Sequence, residues 1–543
     1  AKETAPAVLL QQVQGRLHHQ AWLEGLGQDL RSQDLTLRFE DGEQWSLGNS
    51  RVAWRDEGEH VADAGELQLQ GFSLEMLARI AQRLPLGESW QARLALAQPK
   101  GQVKQLDVRW FLAHSDTPRF NLKTEVTGLS LQASSSTTKP DPALWWPGLQ
   151  SSQLKLELSE NSGKAQWQQT GGRLEMGGIW ETNQMAVKEA SADVSWVKKD
   201  RQWALTVHQA QMDNPDLQAQ AKGSWLSGTS EQDMGVLDMQ AKVARLDATT
   251  LHRYLPLAMD EQARHYLRDA LLAGRFSQAA IELKGPLDRF PFSRNNEGVF
   301  TVKAPFQSLS MQYAPNSLLS AAQRRDKLSW PLVQQAAGEL QINRNRLFIK
   351  GATARLGQEG ATTLSKLDLQ IADLRDIVVD INTQMRGNLS DVAQMVKTSP
   401  LNSITDQAFT QVSATGTAEH QLRLNLPLQN MALAKVQGSV VLNGNDIQWQ
   451  PSLPRFSKLR GTLHYTESGM AVNNLRLRWL GADARLDGGL RFNDSIDAGP
   501  SRLSLQGSVS AEALRQLPEL ALVSGFAAHL SGSTSFVASL GLR

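Results

Sequence analysis

The chain has 543 residues, 56 of them Lys or Arg, 55 Asp or Glu and none Cys. So even a charge balance argues against nucleic-acid binding, which calls for a basic excess or stripe. The missing cysteine excludes disulfides, thiolate zinc sites and Cys nucleophiles, and no apolar run reaches the ~18 residues of a membrane-crossing helix.

Taken in chain order, the dominant pattern is apolar residues at every second position. It appears in Leu35-Thr36-Leu37-Arg38-Phe39, Leu67-Gln68-Leu69, Leu94-Ala95-Leu96 and Leu154-Lys155-Leu156-Glu157-Leu158. It returns in Trp203-Ala204-Leu205-Thr206-Val207, Ile281-Glu282-Leu283, Leu340-Gln341-Ile342 and Leu367-Asp368-Leu369-Gln370-Ile371. The last stretches are Leu422-Arg423-Leu424, Leu463, Leu475-Arg476-Leu477-Arg478-Trp479 and Leu503-Ser504-Leu505. Alternate strand side chains point to opposite faces, so each segment has one greasy and one wet face. Such strands belong to antiparallel sheets with one solvated side. Hairpin turns are predicted at Asp41-Gly42, Ser162-Gly163, Lys199-Asp200-Arg201, Asn343-Arg344-Asn345, Asn443-Gly444 and Glu467-Ser468-Gly469.

Helices are few. Four short ones over 73–84, 247–255, 390–399 and 510–517 each begin at a Ser or Asp suited to an N-cap and stop before Pro. A longer helix over 259–274 carries the stripe Ala263, Tyr266, Leu267, Ala270, Leu271 and ends at Gly274. The stretch 134–141 reads as a loop, and Trp145-Trp146-Pro147 after it as packing against a sheet end. Lys198-Lys199 and Arg324-Arg325 read as solvated turns.

Motifs for chemistry are missing. There is no Walker loop, no convincing GxGxxG and no GxSxG elbow. His18-His19 lacks the HExxH context, and His464 alternates outward on a strand. We therefore assign no catalytic residue, metal ligand or cofactor. Trp110, Trp167, Trp196, Trp203 and Trp479 are read as filling the apolar face, with glycan stacking as the other use of such residues.

The expected fold is mainly β, one long curled antiparallel sheet forming an open hydrophobic groove with a few short α-helices; a row of sandwiches is the other fold the same alternation allows. Strands of ~6 residues predict ~35–45 of them, stacked ~4.8 Å apart. The expected division is a first groove segment over 1–245, a helical insertion over 246–275 and a second segment over 276–543, continuous with the first. The groove lining is assigned to Leu154, Leu156, Leu158, Trp203, Leu205, Val207, Ile281, Leu283, Leu340, Ile342, Leu367, Leu369, Ile371, Leu422, Leu424, Leu463, Leu475, Leu477, Trp479, Leu503 and Leu505. Such a surface marks a binding role, here non-enzymatic passage of lipid acyl chains. A structural or adhesive surface β-protein and a Trp-dependent glycan binder are the alternatives. Both ends read as cut from a longer chain.

Two stretches carry a resemblance. One is Tyr254-Leu255-Pro256, then Ala263-Arg264, Tyr266-Leu267, Ala270-Leu271 and Gly274-Arg275, then Leu283, Gly285, Leu287-Asp288 and Phe290-Pro291-Phe292. The other is Phe456, Lys458-Leu459, Gly461 and Leu463, followed by Asn474-Leu475, Leu477 and Gly481. Together they resemble the AsmA-like family, the group that includes TamB. The resemblance implies a periplasmic protein anchored in the inner membrane of a Gram-negative envelope. Its long β-groove, similar to that of bridge-like lipid transfer proteins, would carry phospholipid to the outer membrane. Contacts with both membranes would lie outside this stretch, with further envelope proteins as possible partners.

Overall fold

The computed structural model describes residues 10–22, 26–39, 42, 44–55, 64–83, 88–111, 119–134, 146–230, 232–294, 296–315, 330–357, 362–399, 410–427, 433–491, 502–515, 524–525, 527 and 529–540. The expected stops at Pro85, Pro400 and Pro518, the turn residue Asp41, the loop residues 135–141, Trp145 and Arg324-Arg325 lie outside the described residues. The chain divides into two compact units. The first is Ala1–Leu246, Thr250–Arg264 and Gln278–Phe300; the second is Asp247–Thr249, His265–Ser277 and Thr301–Arg543.

The first unit contains β1 (Leu10–Trp22), β2 (Gly27–Phe39), β3 (Gln44–Leu47), β4 (Ser50–Arg55) and β5 (Ala64–Ser73). Helices α1 (Leu74–Arg83) and α2 (Glu88–Ala97) follow, then β6 (Lys100–Phe111), β7 (Arg119–Leu131), β8 (Leu149–Ser159) and β9 (Ser162–Thr170). A separate two-stranded ribbon, β10 (Arg173–Glu175) with β11 (Gln184–Ala186), precedes β12 (Glu189–Lys199), β13 (Gln202–Asp213), β14 (Leu217–Leu226) and β15 (Val236–Asp247). Apart from the ribbon, and from β3 and β4, which both pair with β2, each strand pairs antiparallel with the next in a simple meander, β9 joining β12 directly. The middle of the chain holds a 3-10 turn over Ala248–Tyr254, α3 (Glu261–Ala270) and β16 (Leu271–Pro286).

The second unit holds β17 (Val299–Met311), β18 (Val333–Asn343), β19 (Arg346–Leu356), β20 (Thr362–Ile371) and β21 (Val378–Asn388). After α4 (Leu389–Lys397) come β22 (Ser413–Thr415), β23 (Thr417–Pro427), β24 (Lys435–Gln448), β25 (Phe456–Thr466), β26 (Gly469–Trp479), β27 (Ala482–Arg491) and β28 (Arg502–Ser510). α5 (Ala511–Arg515) and β29 (Ser533–Leu540) complete it. This ladder is again antiparallel. The mainly β class, with few helices, is thus as expected. The strands are fewer and longer than expected because most run for 9–16 residues through β-bulges where shorter strands and turns were foreseen.

The bulges organise each unit. In β7, Gly128 at φ +66° separates Leu122, Thr124 and Val126 from Leu129 and Leu131. In β8, Ser151 at φ +50° separates Leu149 from Leu154, Leu156 and Leu158. In the second unit, Gly351 divides β19 and Asn474 divides β26. A bulge adds a residue, bends the strand and restores the inward parity of the residues beyond it. There the apolar side chains close into a core. In the first unit that core gathers Phe72, Val103, Val126, Leu129 and Leu149 under Met76 of α1. In the second it gathers Leu442, Leu459, Leu475, Leu477, Leu486 and Leu505 with Leu389 of α4.

The short helices sit where capping residues placed them. Ser73 Oγ accepts from Met76 N at 3.2 Å, Ser510 Oγ from Ala513 N at 3.1 Å, and Asp247 Oδ1 from Thr249 N at 2.9 Å.

Four local expectations are corrected. Leu94-Ala95-Leu96 is not strand but the end of α2, whose sequence Glu-Ser-Trp-Gln-Ala-Arg-Leu-Ala-Leu-Ala is rich in helix formers. The helix beginning at Glu261 stops at Ala270, so 271–274 are strand. Gly274, at φ +110°, lets β16 pass so close to β17 that a Cβ would lie 2.5 Å from Leu309 Cα. Asn443-Gly444 makes no hairpin; Gly444 at φ +94° is a bulge inside β24. The buried Asn445 amide secures that bulge by donating to Thr415 O at 3.2 Å and Thr417 O at 3.1 Å. Ser390 lies inside α4, which starts at Leu389.

Candidate functional site

Cross-strand register shows what periodicity alone does not: whether the apolar positions of neighbouring strands meet. In the first unit they do. One row runs Leu30, Val52, Leu67, Val108, Leu122, Leu158, Gly163, Trp196, Leu205, Trp225, Leu237, each opposite the next. No polar side chain interrupts it. The adjoining row is Leu69, Leu106, Thr124, Leu156, Ala165, Val194, Val207, Gly223, Met239. A third row, Val126, Leu154, Trp167, Ala192, Ala210, Ala221, Ala241, borders the closed core.

The second unit repeats the arrangement. Val302, Ile342, Leu347, Ile371, Val379 and Leu426 form one row. Ala304, Leu340, Ile349, Leu369, Ile381, Leu424 and Val436 form the next. Rungs of an antiparallel ladder are ~4.8 Å apart, so each row presents methyl and methylene groups at nearly constant spacing.

Apart from exposed Leu30 and buried Val126 and Ala304, the rows on the open side of the bulges are only half-buried. They are not sealed as the two cores are, nor exposed as a wet face would be. Two large rings close gaps along them. A Cβ on Gly65 would collide with the Trp110 ring and one on Gly163 with the Trp196 ring, so each indole lies over the backbone of the opposite strand. That contact occupies one face of each ring and accounts for these Trp residues as packing groups.

The predicted lining residues separate into classes. Leu154, Leu156, Leu158, Leu205, Val207, Ile281, Leu283, Leu340, Ile342, Leu367, Leu369, Ile371, Leu422, Leu424, Leu463 and Trp479 are half-buried. Trp203 is exposed, with Lys198 Nζ 5.6 Å from its ring centroid. Leu475, Leu477, Leu503 and Leu505 lie in the closed core of the second unit, Leu475 at 1 % exposure. Sequence reading missed Val52, Val108, Trp225, Ile349, Ile381 and Val436. They stand alone or in short runs, and only the register shows them joining a row.

The opposite face is wet and stitched by charge. Asp29 holds Arg31 at 2.9 Å and Arg51 at 3.0 Å, and the Arg31 hydrogen bond, with help from Arg51, brings its carboxyl down to about 2. Lys104–Glu125 at 2.9 Å and Lys123–Glu157 at 3.3 Å continue the pattern across β6, β7 and β8. In the second unit this face carries a depression of about 440 Å³ beside Phe348, Lys350, Asp380, Arg423 and Lys435. Its side chains alternate with the apolar rows, so it lies on the other side of the sheet from them.

The motif around 254–292 is structural. Asn214 Nδ2 donates to Tyr254 Oη at 3.0 Å, and Tyr254 donates to Asp216 at 3.2 Å. Arg264, 6 % exposed, pairs with Glu181 at 3.1 Å and donates to Met259 O at 3.3 Å. Tyr266 donates to Tyr313 O at 3.1 Å, and Phe292 is fully buried.

Among the described residues no group of three His, Asp or Glu is placed to hold a metal ion. No described helix is long and apolar enough to cross a membrane. His18 and His19 lie on the exposed β1, where His19 Nε2 is 2.7 Å from Gln28 Oε1. Neither the curated proteins nor the solved structures offer a match. A family model described as YhdP protein matches residues 1–543, and the chain belongs to that family.

Proposed function

We propose that the half-buried apolar rows of each unit hold the acyl chains of phospholipid, and that the protein conducts lipid across the periplasm from the inner to the outer membrane without chemistry. One observation carries the reading: in each unit the inward positions of successive strands align into rows that a closed core does not cover. Membership of the YhdP family agrees with it.

Energetics shows why such rows are useful. Exposing a lipid tail to water costs ~0.8 kcal/mol per CH₂. Two sixteen-carbon chains therefore cost on the order of 25 kcal/mol, which forbids unaided transit on useful timescales. Contacts with Leu, Val and Ile are non-directional and alike from rung to rung. A chain sliding along a row exchanges one set for an equivalent set, and the headgroup stays in water.

Native mass spectrometry of gently purified protein tests this. Co-purified phospholipid, displaced when Leu369 and Leu205 are both changed to Asp, is the expected result. Lipid-free protein from a lipid-rich host, with no uptake of an added acyl probe, refutes it.

A further inference from the structure

The apolar face is not uniformly apolar. In the second unit His420 stands in line with Met385 on one side and Val440 on the other, both direct cross-strand partners. It is 3 % exposed, and its Nε2 is buried without a hydrogen-bond partner. In the first unit Trp167 lies between Leu154 and Ala192, and its Nε1 is likewise buried and unpartnered. Trp167 stands in the third row of the first unit, and His420 lies on the greasy side of β23, two alternate positions from Leu424.

A buried polar group without a partner is unfavourable and calls for an explanation. An apolar residue of similar size would fit either position better if packing were the sole requirement. The indole N–H can only donate, so whatever satisfies Trp167 must accept. A neutral imidazole with its proton on Nε2 makes the same demand, and burial, which holds the His420 imidazole below its ordinary value, keeps it neutral. A diacyl lipid carries one kind of acceptor below its headgroup, the ester carbonyl at the head of each chain.

Resting on the lipid reading above, we infer that Trp167 Nε1 and His420 Nε2 donate to acyl-ester carbonyls, giving each unit a station where an esterified chain pauses in register. The inference names the ligand class more narrowly than an oily face does: ester-linked acyl lipids over ether-linked or plain alkyl ones. A neutral hydrogen bond of this kind supports a preference of about three- to ten-fold.

The test uses the full chain and two phosphatidylcholines of the same chain length, one ester-linked and one ether-linked. They compete against a carbonyl-free alkyl fluorophore. The wild type should prefer the ester by about three- to ten-fold, and the double variant Trp167→Phe, His420→Leu should bind both alike. His420→Gln, which retains a donor, should keep much of the preference.

Should the double variant misfold, infrared spectroscopy of the wild type with ¹³C-carbonyl lipid decides. A carbonyl stretch moved to lower wavenumber supports the stations, and an unmoved one overturns them. Equal binding of ester and ether lipids by the wild type overturns the inference and leaves the lipid reading standing. Displacement by neither lipid removes both.

Discussion

The division of each strand into an open and a closed part predicts two very different costs for the same substitution. Leu369 is half-buried between Ile349 and Ile381, whereas Leu475 is 1 % exposed within the second unit's core. Full burial of a Leu side chain contributes ~1.5–3 kcal/mol, so a half-buried one contributes about 1 kcal/mol. Leu369→Ala should therefore lower stability by about 1 kcal/mol. Leu475→Ala removes the same atoms from a packed interior, leaves a cavity, and should cost ~3–5 kcal/mol. Urea titration followed by circular dichroism reads both, with an acyl-probe titration beside it. Binding should reverse the order. Leu369→Asp sets a carboxylate in the row and should weaken the probe about ten-fold while the fold persists, whereas Leu475→Asp should unfold the second unit. If Leu369→Ala costs as much as Leu475→Ala, the row is a closed core and the conduit argument fails.

Three further outcomes follow from the same geometry. Burial depresses the His420 pKa below its ordinary 6.5, so the unfolded chain takes up a proton that the folded one refuses. Above pH 6.5 both states are neutral and the linkage costs nothing, whereas below it proton uptake by the unfolded chain lowers stability; melting temperatures from pH 8 to 5 should show the decline, and His420→Leu should flatten it. Asp29, held at about 2 against an ordinary 3.8, contributes stability that is present above pH 3.8 and disappears as pH falls towards 2. Asp29→Asn should remove that part of the acid transition, measured by circular dichroism from pH 5 to 2. Gly163→Val should force the Trp196 ring from its place over β9, destabilising the first unit by ~1–3 kcal/mol with a red-shifted tryptophan emission; an unshifted spectrum would show that the ring does not rest there.

Much of the fold is legible in the sequence. Alternation such as Leu154-Lys155-Leu156-Glu157-Leu158 encodes a strand with one apolar side wherever it occurs, because side-chain direction has period two. Ser73, Asp247 and Ser510 announce their helices through capping chemistry that acts over three residues. The failures share a cause. Asn443-Gly444 is a hairpin signal by composition, yet β22 and β25 flank β24 and hold the chain straight, so the positive φ is absorbed as a bulge. Gly274 resembles a helix stop, while its role is close approach to Leu309. Both depend on neighbours distant in sequence. The same holds for the site. Single strands declare which residues are apolar, but whether Val52 meets Leu67 and Leu67 meets Val108 is a property of register.

Register also explains why bulges matter to function as well as to fold. A strand that alternated without interruption would place all its apolar residues in one environment, either all sealed or all accessible. Inserting Gly128 into β7, or Lys350-Gly351 into β19, bends the strand while keeping the residues beyond the insertion turned inward. The far end of β7 can then pack Leu129 into the core beneath α1, and the far end of β19 can bury Ala352 and Ala354. The near end keeps Leu122 or Ile349 half-covered. Stability is thereby concentrated in the closed cores, and the half-buried rows contribute less of it. This arrangement makes a specific demand on the bulge. Replacing Gly351, at φ +60°, by Val keeps the length of β19 but disfavours the bulge, and a β19 forced regular should turn Leu347 and Ile349 to the wet face relative to Ala352 and Ala354. That variant should lose acyl-probe binding while Ala352 and Ala354 stay buried. Retention of binding with an intact core would show that the two halves of the strand are not separately specified.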